Sequence, residues 1–139
     1  MFIFILLLFP VSLFALTDQE TLALTIAGEA RGEGEKGMLA VANVIVNRYN
    51  ADKRYVSISE VCRKPKQFSF WNETVDLEKV KKDKAFTYAN DLAAKIISKS
   101  KVTNLVKASQ HYCRVDCFPK WRDDSKVVAI IGQHVFFRL

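Results

Sequence analysis

One helical pattern runs into a glycine-rich turn and then directly into a second helical pattern, and this limits how the chain can fold. Thr17-Asp-Gln-Glu20 has the Thr-x-x-Glu form of a capping box and predicts a helix starting at Asp18. Leu22, Ala23, Ile26, Ala27 and Ala30 then recur at helical spacing and mark an apolar face. Gly32 and Gly34 are expected to end that helix. Met38, Val41, Ala42, Ile45 and Tyr49, widened by Leu39 and Val46, predict a second, buried helix ending near Asn50. Glu29 falls in the last turn of the first helix, at the negative end of its dipole, where an ionised carboxylate is disfavoured. An apolar cleft beside it would favour the neutral acid further, the form a general acid needs near neutral pH. The ordinary alternative for such a position is a solvated surface residue. Glu33 and Glu35 lie close by, and Glu33 is expected either to assist Glu29 or to cap the second helix.

Further along, Ser57-Ile-Ser-Glu60 predicts another capping box and a short helix through Cys62, stopped by Pro65. Gln67-Phe-Ser-Phe-Trp71 fits a strand or a substrate-lining loop. From Leu77 to Ser98, Val80, Ala85, Tyr88, Ala89, Leu92 and Ile96 line one face of an amphipathic helix. Its lysines, Lys79, Lys81, Lys82, Lys84 and Lys95, read as a solvated outer surface. Asn104 to Ala108 fits a short turn or strand. The last third, with Gln110-His-Tyr-Cys113, Pro119-Lys-Trp121, Val127 to Gly132 and His134-Val-Phe-Phe137, reads as short strands and loops. No repeat, low-complexity segment or linker divides the chain. The expected fold is α+β, mainly α, in a single domain over residues 17–139.

Residues 1–16 contain no charged side chain and are too short for an ordinary membrane span, which takes about 20 apolar residues. A signal peptide is the expected reading, with an uncleaved membrane anchor as the alternative. Either implies export, and export makes nucleic acid a poor partner. The net charge of +6 favours an anionic polymer or surface. In an oxidising space Cys62, Cys113 and Cys117 are expected to form one disulfide, either Cys62 to one of the others or Cys113 to Cys117.

Several chemistries compete. His111, Cys113, Cys117 and His134 pass only weakly as zinc ligands, and export argues against free thiolates. A Cys–His nucleophilic pair would make a peptidase, and only the leftover thiol could serve. Gly32-Glu-Gly34 lacks the strand and the Lys-Ser/Thr of a phosphate-binding loop. Phe68, Phe70, Trp71, Tyr112 and Trp121 are mostly core candidates, although Trp71 and Trp121 sit beside polar residues and could stack on a sugar. No cofactor or metal is expected.

Ala27-Gly-Glu-Ala-Arg-Gly-Glu33, Gly37 and Ala40-Val-Ala-x-Val-Ile-Val-Asn-Arg48 resemble the opening motif of the SleB-type cell wall hydrolases. Pro65-Lys-Gln-Phe-Ser69 resembles that family's central motif. His111-Tyr112, Pro119-x-Trp121 and Ile131-Gly-x-His-x-Phe136 follow in the family's order. The resemblance, from about Leu22 to Phe137, implies a small lysozyme-like fold, cleavage of peptidoglycan glycan strands, and Glu29 as the catalytic carboxyl group. Where relatives often have another His and a Tyr after the His-Tyr pair, this chain has Cys113 and Asp116. The residues expected to hold substrate are Glu33, Gln67, Ser69, Trp71, His111, Tyr112, Trp121 and His134. A lone catalytic carboxyl group implies a lytic transglycosylase, in which the substrate supplies the nucleophile. The alternatives are simple hydrolysis, with Glu33 or Asp116 as base, and a wall-binding module without activity. A monomer is expected, exported to the periplasm or wall, with membrane contact through residues 1–16. Whether it serves a cell or a phage is open.

Overall fold

The computed structural model describes residues 15–139, so all but the end of the apolar N-terminal segment lies outside the described residues. Helix α1 spans Asp18–Ala30. It opens with the expected capping box: Thr17 Oγ1 accepts from the Glu20 amide at 3.1 Å, and the Glu20 carboxylate accepts from the Thr17 amide at 2.9 Å. Seven consecutive residues from Thr21 to Ala27 are buried. The helix is therefore enclosed nearly all round rather than along the one predicted face. Thr25 is tolerated inside because its Oγ1 donates to the Thr21 carbonyl at 2.7 Å and accepts from the Trp71 indole at 2.9 Å.

After a 3-10 turn over Arg31–Glu33, α2 spans Gly34–Ala51. It buries Met38, Val41, Ala42 and Ile45 against α1, and Ala40 and Val44 against the sheet. Helix α3, Ile58–Arg63, is capped by Ser57, but Glu60 bonds the Val56 amide rather than that of Ser57. The predicted helix from Leu77 to Ser98 is broken in two. Helix α4 covers Leu77–Lys81 and α5 covers Lys84–Ile97, with Asp76 and Asp83 as their N-caps. The Asp83 carboxylate accepts from the Ala85 amide at 2.9 Å, so the break has a local cause. Lys79, Lys82, Lys84 and Lys95 are exposed. Gln67 to Trp71 is a loop leading into a 3-10 turn, Ser69–Asn72, rather than a strand.

The C-terminal third forms an antiparallel sheet of order β1-β3-β2, with β1 His111–Arg114, β2 Val127–Ile131 and β3 His134–Phe137. The central β3 is wholly buried. Its register pairs Tyr112 with Phe136 and Arg114 with His134, so these four side chains share the inner face. Phe136 packs there on Ala40 and Val44 of α2 and on Val106. His111, Cys113, Val135 and Phe137 take the outer face. The segment before β1 is a turn, lashed to α2 by side chains one helical turn apart. Asn43 bonds the Thr103 carbonyl and the Leu105 amide at 3.0 and 2.8 Å, and Asn47 bonds the Lys107 and Ser109 carbonyls, both at 2.8 Å. Arg48 Nε donates to the Gln110 carbonyl at 2.7 Å. Those polar residues within an apolar helix therefore fix where the sheet begins.

The expected disulfide is absent from the structure: all three cysteines are free thiols. Cys62 is enclosed in the helical core, whereas Cys113 lies on the sheet and Cys117 on the exposed turn after it. Pairing Cys62 with either would require unpacking that core. Between the other two, the Cys113 thiol faces the Cys117 carbonyl at 3.6 Å rather than its sulfur. Burial pushes the Cys62 thiol up to about 12, so it is a poor nucleophile. Alkylation of the native protein should therefore label Cys117 readily and leave Cys62 unmodified until denaturant is added. Peptide mapping checks this, and rapid labelling of native Cys62 would contradict it.

Candidate active site

Glu29 lies half-buried in the last turn of α1. Its Oε1 accepts from the Phe70 amide at 3.0 Å and from the Ser69 hydroxyl at 3.4 Å. Its Oε2 accepts from the Tyr112 hydroxyl at 3.4 Å. The 3-10 turn carrying Ser69 and Phe70 is clamped along α1 in three places. Trp71 Nε1 donates to Thr25 Oγ1 at 2.9 Å, the Phe70 ring lies across Gly28, and the Phe70 amide reaches Glu29. A Cβ on Gly28 would stand well inside van der Waals distance of that ring. The glycine thus permits the approach that brings the amide to the carboxylate.

The sheet forms the other wall. Gly132 occupies the two-residue turn between β2 and β3 at φ 56°, where glycine is favoured. The next amide, of Gln133, donates to Glu33 Oε2 at 2.8 Å. Glu33 does occupy the N-cap position of α2, but its side chain makes no cap bond and instead ties the β2–β3 turn to the end of α1. Tyr112 stacks on Phe136 with centroids 5.5 Å apart and meets the His134 ring at 5.1 Å. Burial foremost, and then the Glu29 charge, hold the Tyr112 phenol well above its usual range, so it remains a neutral donor. His134 is buried, and its Nδ1 has no partner among the described residues.

Between these walls is a cleft of about 450 Å³, bounded by Glu29, Glu33, Ser69, Tyr112, Arg114 and His134. It is polar rather than apolar. A neighbouring hollow of about 430 Å³ shares Gly28, Arg31 and Ser69 and runs on towards Glu73 and Lys79, so the groove extends along both sides of the Ser69–Phe70 turn. A further hollow of about 470 Å³ includes Asp18, at the other end of α1. The eleven-residue rise from Asp18 to Glu29 puts it roughly 16 Å from Glu29.

Of the residues named from sequence, Glu29, Glu33, Ser69, Tyr112 and His134 converge here. Gln67 is exposed on the preceding loop and makes no bond to Glu29. Trp71 uses its indole N–H on Thr25 and carries Arg63 over its ring at 5.0 Å, which ties it to packing. His111 and Trp121 meet at a tilt on the sheet's outer face, with ring centroids 5.5 Å apart. His111 and His134 thus face opposite sides of the sheet. No group of three or more His, Cys, Asp or Glu among the described residues could hold a metal ion. Sequence reasoning missed Arg114, Arg31, the Phe70 amide and the part played by Gly28. A glycine inside a helical run, normally unfavourable, was the signal available for the last.

Both histidines are held below the ordinary value of 6.5, His134 chiefly by burial and His111 by burial and then Arg48. Each takes up a proton more readily in the unfolded chain. The stability they contribute is present above about pH 6.5 and is lost as the pH falls below it. The thermal midpoint should drop on moving from about pH 7.5 to 5, and should drop less in His134→Gln. A midpoint that is flat or rises over that range would contradict the assignment.

The domain is mostly helical, and its open polar groove is lined by two hydrogen-bonded carboxyl groups, those of Glu29 and Glu33. The family model described as Cell Wall Hydrolase matches residues 32–137, and the chain belongs to that family. The match begins just beyond Glu29. The fold is also that of the catalytic domain of the germination-specific lytic transglycosylase SleB from Bacillus anthracis. The two chains are 22% identical, the alignment covers 91% of this chain and 98% of that one, and the TM-score is 0.65. No curated protein matches the chain.

Proposed function

We propose that this domain cleaves peptidoglycan glycan strands as a lytic transglycosylase, with Glu29 as the only catalytic carboxyl group. The observation that carries this reading is the setting of Glu29, which lines the cleft and accepts bonds from Ser69, the Phe70 amide and Tyr112. Hydrolysis by the two-carboxylate route needs a second group free to act as nucleophile or base at a defined separation. Glu33 lines the same cleft with its Oε2 on the Gln133 amide at 2.8 Å, and exposed Asp116, outside that lining, is paired with Arg114 at 3.1 Å; the reading gives neither a catalytic part. On this reading the substrate supplies the nucleophile. Glu29 protonates the glycosidic oxygen as the bond to muramic acid C1 breaks, and the N-acetyl carbonyl oxygen supports C1. The 6-hydroxyl of the same sugar then bonds to C1, the carbonyl oxygen leaves it, and Glu29 takes the hydroxyl proton. The product is a 1,6-anhydro end, and Glu29 is protonated again.

Ser69, the Phe70 amide and Tyr112 hold the carboxyl group in place. His134, neutral at pH 7, lines the cleft beside Tyr112 and is the candidate for orienting the N-acetyl group. The neighbour of the same fold is itself a lytic transglycosylase. The basic charge suits a polymer bearing carboxylates. The domain would then act in the periplasm or wall, delivered or anchored by residues 1–16, as a monomer. Digestion of purified sacculi tests the reading. Release of muropeptides with new glycan ends and intact stems, insensitive to thiol alkylation, is expected. New peptide amino groups would indicate a peptidase, and binding without release a wall-binding module.

A further inference from the structure

The outer face of the sheet carries a feature that the cleft does not use. Of the six large hydrophobic residues exposed among the described residues, four fall in the C-terminal third: Phe118 at 75%, Trp121 at 39%, Ile130 at 66% and Leu139. Phe118 and Trp121 belong to the loop between β1 and β2, which covers the outer face, and they are held in one chain of contacts. Phe118 lies over the Arg122 guanidinium at 4.3 Å, and Arg122 lies over buried Phe137 at 5.7 Å. Trp121 meets Phe137 at 5.5 Å and His111 at 5.5 Å. Arg122 is fixed in turn by the Asp124 carboxylate at 2.7 Å and by the Val115 and Cys117 carbonyls at 3.1 and 2.6 Å. Ile130 pairs with Val135 and so faces the same side.

An exposed aromatic cluster tied down by an arginine that makes three hydrogen bonds is a preformed contact surface, because little side-chain freedom remains to be lost on binding. We propose that it is a second, non-catalytic glycan-contact site, which holds the domain on the wall polymer while the cleft on the inner face works. The ring faces offer flat apolar area to the C–H faces of sugars. Exposed Lys120, Lys126 and Arg138 lie in the same loop and strand ends and complement a polymer carrying carboxylates. Asp124 is paired with Arg122 and Asp116 with Arg114, so of these nearby acids only Asp123, which caps the turn at Ser125 and keeps its charge, is set against the three cations. The proposal rests on the wall-polymer reading but not on the role of Glu29.

The test measures co-sedimentation with purified sacculi in a Glu29→Gln background, and in parallel the cleavage of short soluble glycan fragments by otherwise wild-type protein. Phe118→Ser and Trp121→Ala are expected to weaken binding to sacculi by about tenfold each, the scale of an aromatic contact at the centre of an interface. Phe118→Ser should cleave soluble fragments at the wild-type rate. Phe118 is so exposed that this variant decides the matter even if Trp121→Ala does not fold. Unchanged binding to sacculi in Phe118→Ser overturns the proposal, and so does an equal loss on soluble fragments, which would place the loop in the cleft. A wild-type dimer that Phe118→Ser dissociates would assign the surface to a second copy instead. If the parent does not bind sacculi at all, the wall-polymer reading falls with it. Binding without cleavage by otherwise wild-type protein would remove only the role of Glu29.

Discussion

Glu29→Gln is expected to lower glycan cleavage by at least about a hundredfold, the usual scale for losing a general acid. The amide keeps the shape of the carboxyl group and can still accept from the Phe70 amide, but it cannot deliver a proton to the leaving oxygen. Its NH2 would face the Tyr112 hydroxyl, which can turn to accept instead. The fold therefore loses little, and the thermal midpoint should move by no more than a few degrees. Glu33→Gln should cost less activity, because Glu33 acts by fixing the β2–β3 turn. The decisive comparison is sacculus digestion at equal concentrations of folded protein. A Glu29→Gln variant near wild-type activity would remove this residue from the mechanism.

Gly28→Ala is the second large effect, and it arises from packing. The new Cβ needs the space now filled by the Phe70 ring, so the ring must move and carry its own amide away from Glu29. Overpacking of this kind costs about 1–3 kcal/mol, which should lower the midpoint by several degrees. A displacement of the reacting groups by about 1 Å can cost on the order of a hundredfold in rate. Phe70→Ala in the same chain should relieve the clash, so the double variant should be more stable than the two single losses predict. Strict additivity would show that Gly28 and Phe70 are not coupled in this way.

The features legible in the sequence were those with a local cause. The capping box at Thr17, the glycine-rich break after Ala30 and the buried run of α2 depend on near neighbours in the chain, and Glu29 could be placed in a helix's last turn on that basis. The strands at Gln110, Val127 and His134 were visible as short apolar runs bounded by turn residues. The break at Asp83 was also local, and its sign in the apolar pattern was the five-residue step from Val80 to Ala85, where a helical stripe takes three or four. What periodicity could not reveal was convergence. Nothing near Phe70 in sequence says that its amide will meet Glu29 across Gly28. Nor does the spacing of His111-Tyr112 say which side of the sheet each takes until the register with Phe136 and Phe137 is set. That register puts Tyr112 beside Glu29 and sends His111 and Trp121 to the far face. The cysteines misled for a related reason: export favours pairing, but the fold encloses Cys62 in the helical core.

The most direct test of a single catalytic carboxyl group is the origin of the oxygen at the new glycan end. Purified sacculi digested by the wild-type domain in water enriched in heavy oxygen, followed by mass spectrometry of the muropeptides, read this out. If the muramic acid 6-hydroxyl closes onto C1, the new ends are 1,6-anhydro, lighter by one water and free of label. Reducing muramic ends that carry heavy oxygen would show that water attacked C1, and would contradict the one-carboxyl account in favour of a base such as Glu33 or Asp116.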